Sequence, residues 1–234
     1  MGVKVSIITC TRNSDKYLWE CLHSVENQTY KNIEHIIIDG YSNDRTTTII
    51  KQYIKRHHDY DVSYHTYPAR GIANALNIGI KHSTGQIIHF LHSDDYYYSS
   101  NSITKVINYF KQNSQYNWIL GNHLLAICGR TLILPNTFLT KVIGKHFLKI
   151  FPWMSHQNTF MRRIVYDTYG LFDETYQNNL DYDQWLRIVN REPVLFVNDN
   201  FSVFRVHKKS TTFNPKNYQR WFREYIKAHR QNPS

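Results

Sequence analysis

Two adjacent carboxylates, Asp94 and Asp95, follow closely after the apolar run 87–91. Such a run is typical of a buried strand in a parallel sheet, and ligands bind at the carboxyl ends of those strands. Paired acids at that place can hold a hard divalent cation, which in turn holds phosphate. The alternative is that one acid caps a following helix by accepting hydrogen bonds from its free backbone amides. This stretch alone leaves both interpretations open.

A third carboxylate, Asp39, ends another apolar run, 36–38, and precedes Gly40. A carboxylate at a strand end, before a glycine turn and a helix, suits a nucleotide base or ribose because it accepts two hydrogen bonds. A plain strand–turn–helix connection, capped by Ser42 or Asp44, is the alternative. The chain contains no GxGxxG segment, which disfavours a dinucleotide-binding fold.

The elements that must position these acids alternate along the first half of the chain. Apolar runs predict strands over 3–9, 33–38, 62–67 and 86–91. Helical spacing of apolar residues predicts helices between them, the first capped by Asn13 or Ser14 and the second opened by 42–44. This order implies parallel βαβ units and a doubly wound sheet.

The second half is less regular. We predict strands over 117–121 and 124–133, the latter a hairpin that turns at Gly129, and a further strand-like stretch over 194–205. Helices are predicted over 165–169, 181–190 and 217–231.

Composition narrows the class of protein. The 234 residues suffice for one large α/β domain. Lysine and arginine number 28 against 18 acids, so the net charge is +10, which suits nucleic acid, an anionic membrane surface or a phosphorylated substrate. Three cysteines, Cys10, Cys21 and Cys128, lack metal-type spacing and predict a reducing cytoplasm. Without a signal-peptide pattern or a run of about 18 apolar residues, we expect a cytoplasmic protein.

Seven ordered motifs resemble the family 2 glycosyltransferases of the GT-A fold, most of all the short bacterial members that build surface polysaccharides. They lie at residues 5–13, 24–30, 39–46, 91–95, 156–160, 169–174 and 180–187. The resemblance covers about residues 3–210 and is specific because the motifs occur in the right order. It implies an α/β, Rossmann-like, mostly parallel central sheet flanked by helices, with an irregular acceptor-side C-terminal half.

The resemblance also implies an inverting transferase that uses a nucleotide-diphosphate sugar and a divalent metal, Mn²⁺ or Mg²⁺. Asp39 is then expected to bind the base, usually uracil, and Asp94 to contact the metal on the diphosphate. The other expected nucleotide-binding residues are Thr11, Arg12, Arg70, Gly71 and Asp95, the last supporting the metal or the ribose. In similar proteins an Arg-x-His segment closes over the diphosphate, so His207 or Arg205 is expected to reach metal or phosphate.

Asp181 occupies the place of the family's catalytic base. Inversion by a single displacement needs a carboxylate that accepts the proton of the attacking hydroxyl, while metal and cations stabilise the departing diphosphate. Asp183 is the competing candidate; residues two apart on a helix do not share a face, so only one should point into the cleft. A helix N-cap is the other interpretation of Asp181. His156 is expected to shape the acceptor side.

Two basic aromatic segments suggest a membrane surface as partner. In the predicted last helix, aromatic residues recur at i, i+3, i+4 and i+7 among arginines and lysines, and segment 138–153 carries a lysine at every fourth position from 141 to 149. Both are typical of interfacial helices on anionic lipid, which would suit a lipid-linked acceptor. A helix that packs on its own domain with a solvated basic face is the alternative.

The resulting prediction is a cytoplasmic, membrane-peripheral enzyme that adds one sugar to a glycan or lipid-linked acceptor. We predict a single domain over 1–210, with a nucleotide-sugar half (1–115) and an acceptor half (116–210), followed by a basic aromatic helix within 211–234. A non-catalytic sugar-nucleotide binder is an alternative, because His92 and Leu180 stand where the family often has acids. A nucleotidyltransferase is expected to carry a Gly-rich phosphate loop near its N-terminus, and this sequence has none. A nucleic-acid-binding module explains the charge but not the ordered acids.

Overall fold

The computed structural model describes residues 2–56, 58–127, 130–134, 156–207, 210 and 217–232. Two sheets and seven α-helices form this part of the chain. The predicted turn at Gly129 and the basic segment 138–153 lie outside the described residues.

The first half builds a parallel sheet. Its strands are β1 (Val5–Thr11), β2 (Ile33–Asp39), β3 (Asp61–Thr66) and β4 (Ile87–Phe90). They lie in the order β4-β1-β2-β3, each pair parallel. Every residue of β1, β2 and β4 is buried, which explains why apolar residues predominate in these strands.

Helices cover both faces of this sheet. They are α1 (Leu18–Glu26), α2 (Thr46–Ile54), α3 (Ile72–His82) and α4 (Ser102–Gln112). Alternate residues of β1 enter different core clusters: Ile8 packs with residues of α3, whereas Ile7 packs with residues of α1 and α4. Because both faces are buried, the carboxyl-terminal edge of the sheet is left to carry a site.

Two predicted helix starts in this half are wrong. The first helix begins at Leu18 rather than after Asn13 or Ser14, because those two backbone amides donate across to Ser42 Oγ and Thr46 Oγ1. The second begins at Thr46, whose backbone N–H donates to Asp44 Oδ1 at 2.9 Å, whereas Ser42 directs its hydroxyl to Asp39.

The second half adds an antiparallel strand to the same sheet. It contains β5 (Tyr96–Tyr97), β6 (Trp118–Leu120), β7 (His123–Ile127), β8 (Arg130–Leu134), β9 (Thr159–Arg162), β10 (Val194–Phe196) and β11 (Ser202–Val206). Strand β9 runs antiparallel between β4 and β6, and β10 pairs with β6, which completes the seven-stranded sheet. The four strands β5-β11-β7-β8 form the second sheet.

The single strand-like stretch predicted over 194–205 is wrong, because it divides into two strands that belong to different sheets. The turn between them, 197–201, is tied down by Asn122: its backbone N–H donates to the carbonyl of Asp199, and its side-chain amide donates to the oxygens of Asn198 and Asn200. Strand β11 can therefore leave the main sheet and approach the loop after β4. The hairpin predicted over 124–133 is confirmed as β7 and β8.

Three helices complete the described chain: α5 (Arg163–Tyr169), α6 (Leu180–Ile188) and α7 (Tyr218–Gln231). Helix α6 is buried on nearly every side, and α7 packs against it. No helix in the described parts of the chain is both long enough and apolar enough to span a bilayer.

Candidate active site

The carboxyl ends of β1, β2 and β4 meet at one edge of the sheet. Parallel pairing places Thr11 beside Asp39 and Ile8 beside Phe90, so the loops after these strands converge. The loop after β4 carries Asp94 and Asp95 and leads into β5, not into a helix. The helix-cap interpretation of these two acids is therefore wrong.

Asp39 is held rigidly at this edge. Thr11 Oγ1 and Ser42 Oγ donate to its Oδ1 at 2.8 and 2.5 Å, and the Ser42 backbone N–H donates to Oδ2 at 2.8 Å. The residue is 1% exposed. A carboxylate offers about four acceptor positions, so one position on Oδ2 remains for a ligand.

A cavity of about 240 Å³ opens beside Asp39. It brings together five residues predicted to bind the nucleotide: Thr11, Arg12, Asp39, Arg70 and Gly71. Asp95, the sixth, is not among the residues that line it. The predicted nucleotide residues therefore converge, with one exception.

The first turn of α3 forms one wall of this cavity. Gly71 occupies the N-cap position with a φ of +102°, a conformation that favours glycine, and no side chain caps the helix. The helix N-terminus presents free backbone N–H groups and a partial positive charge. Together with the Arg12 and Arg70 side chains, this wall favours an anionic ligand.

Among the other residues of the same cavity, two with polar side chains, Tyr67 and Asn74, were not predicted to bind the nucleotide. Tyr67 follows β3 directly, and its hydroxyl lies 2.8 Å from Nε2 of His82. Asn74 Nδ2 donates to Glu174 at 2.9 Å, which ties α3 to the segment before α6. The position of Tyr67 at a strand end could have indicated its place in the cavity. No local pattern indicated the Asn74–Glu174 contact, because it spans 100 residues.

Asp94 and His207, the two predicted metal ligands, lie in direct contact. His207 Nε2 is 2.8 Å from Asp94 Oδ2, and the two side chains are 18% and 30% exposed. Adjacent ligands of an octahedral ion with bonds of 2.0–2.1 Å are about 3 Å apart, so this spacing fits one such ion. Among the described residues no group of three or more His, Cys, Asp or Glu could hold a metal. Phosphate oxygens and water would occupy the remaining coordination positions of an ion bound here.

Asp95 connects the same loop to the second sheet. Its Oδ1 accepts the Arg205 backbone N–H at 2.8 Å, whereas Oδ2 is buried without a hydrogen-bond partner. Burial, and then the neighbouring charge of Asp94, raise the pKa of Asp95 well above its usual value. The geometry makes Asp95 a support for the loop that presents Asp94.

The two acids of α6 have different surroundings. Asp183 is 3% exposed and accepts hydrogen bonds from Arg187 Nε at 3.1 Å and Asn232 Nδ2 at 3.0 Å. Asp181 is half-buried and accepts a hydrogen bond from the adjacent Tyr182 backbone N–H at 2.8 Å. Burial raises the pKa of Asp181 to about 7. Asn179, not Asp181, occupies the N-cap position, so the N-cap interpretation of Asp181 is wrong.

Helix α7 fixes the start of α6. The Glu224 carboxylate accepts the backbone N–H groups of Gln177, Asn178 and Asn179 at 2.9–3.0 Å. Tyr225 stacks on Tyr182 with ring centroids 5.3 Å apart. The position of Asp181 therefore depends on the C-terminal helix, a dependence that the sequence did not reveal.

The imidazole of His92, two residues before Asp94, lies near that of His156. The ring of His156 is 5.7 Å from that of His92 and packs between Phe90 and Phe172. Burial lowers the pKa of both histidines, so both are neutral at physiological pH. Neutral imidazoles donate and accept hydrogen bonds, which suits sugar hydroxyls.

Comparison with known proteins adds independent findings. The sequence profile of "Glycosyl transferase family 2" matches residues 6–194. An uncharacterized glycosyltransferase of Rickettsia typhi is 31% identical over 220 residues, which are 89% of this chain and 65% of that protein. Glycosyltransferase GlyA of Streptococcus pneumoniae is 25% identical over 88% of this chain and 31% of its own length. The chain thus spans less than two thirds of the length of these relatives.

Two solved structures share the fold. S. aureus TarS 1–349 in complex with UDP-GlcNAc superposes with a TM-score of 0.78 at 17% identity, over 99% of this chain and 68% of that one. Mannosyltransferase PcManGT from Pyrobaculum calidifontis, in complex with GDP-Man and Mn²⁺, gives 0.79 at 18% identity, over 98% and 65%. At this identity the likeness to both structures concerns the fold alone.

Proposed function

This chain belongs to the family 2 glycosyltransferases and has the GT-A fold, and we propose that it transfers one sugar, with inversion, from a UDP-sugar to a hydroxyl of a glycan or lipid-linked oligosaccharide. The observation that carries this proposal is the Asp94–His207 pair at the same sheet edge as the cavity that contains Asp39.

Asp39 supports uracil as the base. Uracil offers one N–H donor on its pairing edge, whereas guanine offers two adjacent donors. Three of about four acceptor positions on the Asp39 carboxylate are already occupied by Thr11 and Ser42. One remaining acceptor matches the single donor of uracil and leaves one donor of guanine unpaired, which is costly in a buried pocket.

Arg12, Arg70 and the N-terminus of α3 would hold the ribose and diphosphate, with Thr11 keeping Asp39 in place. Asp94 and His207 would hold Mn²⁺ or Mg²⁺, and Asp95 would support the Asp94 loop. The bound ion would neutralise charge that develops on the departing diphosphate. Asp94 and His207 supply one carboxylate oxygen and one imidazole nitrogen, and no further protein ligand is needed when phosphate completes the shell.

Asp181 would act as the base. Its carboxylate takes the proton of the acceptor hydroxyl while that oxygen forms a bond to the anomeric carbon, and the bond from that carbon to the diphosphate oxygen breaks with inversion. A pKa of about 7 suits this role, because the group is then partly ionised at neutral pH and basic enough to accept a proton. Asp183 is committed to Arg187 and Asn232.

The acceptor would be presented at the inner face of the plasma membrane, in surface polysaccharide synthesis. Helix α7 has two faces: Glu224 and Ala228 pack on the domain, while Tyr218 and Phe222 are 55% and 58% exposed beside the exposed Arg223. This outward face supports a peripheral contact with anionic lipid. The double substitution Tyr218→Ser/Phe222→Ser is expected to weaken sedimentation with anionic liposomes; unchanged sedimentation would leave α7 as a packing element only.

A panel of nucleotide sugars tests the donor and the reaction together. Thermal denaturation with UDP-sugars and GDP-mannose, each with and without Mn²⁺, is expected to show Mn²⁺-dependent stabilisation by UDP-sugars, because a ligand of the native state raises its stability. Preference for GDP-mannose would contradict the Asp39 argument. A chain that binds UDP-sugars but never releases UDP with any acceptor or water would be the non-catalytic binder.

A further inference from the structure

Arg205, on β11, is enclosed by two aromatic rings and a carboxylate. Its guanidinium carbon lies 4.4 Å from the ring centre of Tyr17 and 5.0 Å from that of Tyr96. One terminal nitrogen pairs with Glu20 Oε2 at 2.7 Å, and the side chain is 14% exposed. We call Arg205, Tyr17, Tyr96 and Glu20 the Arg205 clamp.

The clamp joins three separate parts of the fold. Tyr17 stands at the N-cap of α1, Tyr96 belongs to β5 after the Asp94 loop, and Arg205 belongs to β11. The backbone at Arg205 is fixed as well, since its N–H donates to Asp95 and its strand pairs with β7. An arginine stacked between rings with a bound carboxylate has little freedom to move.

His207 lies two residues beyond this anchor. Its ring is 5.0 Å from the ring of Tyr17, the same ring that packs on Arg205, and its Nε2 lies 2.8 Å from Asp94. The sequence left open whether Arg205 or His207 reaches metal or phosphate. The structure directs the Arg205 guanidinium to Glu20 and the tyrosines, and His207 to Asp94.

We propose that the Arg205 clamp positions His207 for the divalent cation, so that Tyr17 and Arg205 determine metal affinity without touching the metal or the phosphates. This inference rests on the proposed function, which places the cation at Asp94 and His207. Residues that orient a metal ligand typically change metal affinity by about 10- to 100-fold when they are altered.

The test separates metal affinity from nucleotide affinity in the full chain. The Mn²⁺ dissociation constant is measured from the electron paramagnetic resonance signal of free Mn²⁺, with and without UDP, and UDP binding is measured separately in EDTA. Tyr17→Leu and Arg205→Gln are expected to raise the Mn²⁺ dissociation constant by about 10- to 100-fold and to leave UDP binding in EDTA unchanged. Tyr17→Phe keeps the ring and is expected to match the wild type.

Arg56 provides a matched control. It pairs with Glu26 at 2.7 Å and lies 5.5 Å from the ring centre of Trp19, so Arg56→Gln removes the same kinds of contact away from His207. Its Mn²⁺ affinity is expected to equal that of the wild type. If Arg205→Gln destabilises the fold, Glu20→Gln, at a side chain that is 56% exposed, weakens the clamp more gently and is expected to reduce Mn²⁺ affinity in the same direction.

Three outcomes would contradict the proposed role of the Arg205 clamp. Unchanged Mn²⁺ affinity in Arg205→Gln and Tyr17→Leu would make it a purely structural contact. Weaker UDP binding in EDTA for Arg205→Gln would make Arg205 a phosphate ligand, and an equal loss of Mn²⁺ affinity in Arg56→Gln would make the effect general. If the wild type fails to bind UDP, the proposed function is contradicted instead. The Mn²⁺ affinities measured without UDP would then still show whether the Arg205 clamp positions His207.

Discussion

Two regions of the proposed site, a nucleotide end around Asp39 and a reaction end around Asp181, hold their carboxylates in opposite ways. At the nucleotide end, Asp39 accepts three hydrogen bonds from Thr11 and Ser42 and is fixed in place. At the other end, Asp181 has a backbone N–H of its own helix for a donor, and burial raises its pKa to about 7.

Under the proposed function, this difference separates nucleotide binding from the reaction. A carboxylate that must only recognise a ligand works best when its charge and orientation are settled before the ligand arrives. A carboxylate that must take a proton works best when its pKa lies near the working pH. Two carboxylates in such different hydrogen-bonding environments are suited to different roles in an active site.

The largest expected effect is at the reaction end. Asp181→Asn removes the proposed base, so kcat is expected to fall by about 10²–10⁴-fold while UDP-sugar binding is retained. Steady-state kinetics and calorimetry measure the two quantities. Asp183→Asn, two residues away, is the matched control: it is expected to lower the melting temperature but to keep most of kcat. The reverse pattern would move the base to Asp183.

A smaller effect is expected at the nucleotide end. Asp39→Asn weakens a charged hydrogen bond to the base and places an amide group opposite the Ser42 and Thr11 donors. We expect the affinity for UDP to fall by about 10- to 100-fold, which corresponds to about 1.5–3 kcal/mol, with kcat nearly unchanged. Pyrophosphate binding serves as the control, because it does not involve the base; an equal loss of pyrophosphate affinity would contradict the assignment.

The pH dependence of kcat/KM should follow the ionisation of Asp181. With a pKa of about 7 for Asp181, the ionised base increases from about one tenth to about nine tenths of molecules between pH 6 and pH 8, so kcat/KM should rise by about tenfold over that range. The sign is fixed, because only the deprotonated carboxylate accepts a proton. A profile that falls over this interval would show that a protonated group is required instead.

The smallest expected effect tests how Glu224 of α7 supports the start of α6, the helix that carries Asp181. Glu224→Ala leaves three backbone N–H groups, of Gln177, Asn178 and Asn179, without their acceptor, so the free energy of unfolding should fall by about 1–3 kcal/mol. Chemical denaturation measures this change. Phe222→Ala, at an exposed position of the same helix, should change it very little; equal losses would mean that α7 acts as a whole rather than through Glu224.

The nucleotide end was largely predictable from the sequence. Parallel strands of similar length end at one edge, so a threonine at the end of β1 and an aspartate at the end of β2 had to meet. The register of buried apolar runs carries this information locally. Five of the six residues that the family resemblance implied for the nucleotide line one cavity.

The reaction end depends on contacts that local patterns do not encode. His207 meets Asp94 across 113 residues, because β11 leaves the main sheet after a turn held by Asn122. Only the family resemblance suggested that pair, and nothing indicated that Arg205 would turn to two tyrosines. The antiparallel strand β9 and the Glu224 contact to the start of α6 arise in the same way, from packing between distant segments.

The measurement that tests the central claim most directly is UDP affinity with and without Mn²⁺, in the wild type and in Asp94→Asn. If Asp94 and His207 hold the cation that binds the diphosphate, Mn²⁺ should tighten UDP binding strongly in the wild type and hardly at all in the variant, while both bind UDP equally in EDTA. Equal UDP affinity with and without Mn²⁺ in the wild type would contradict the account.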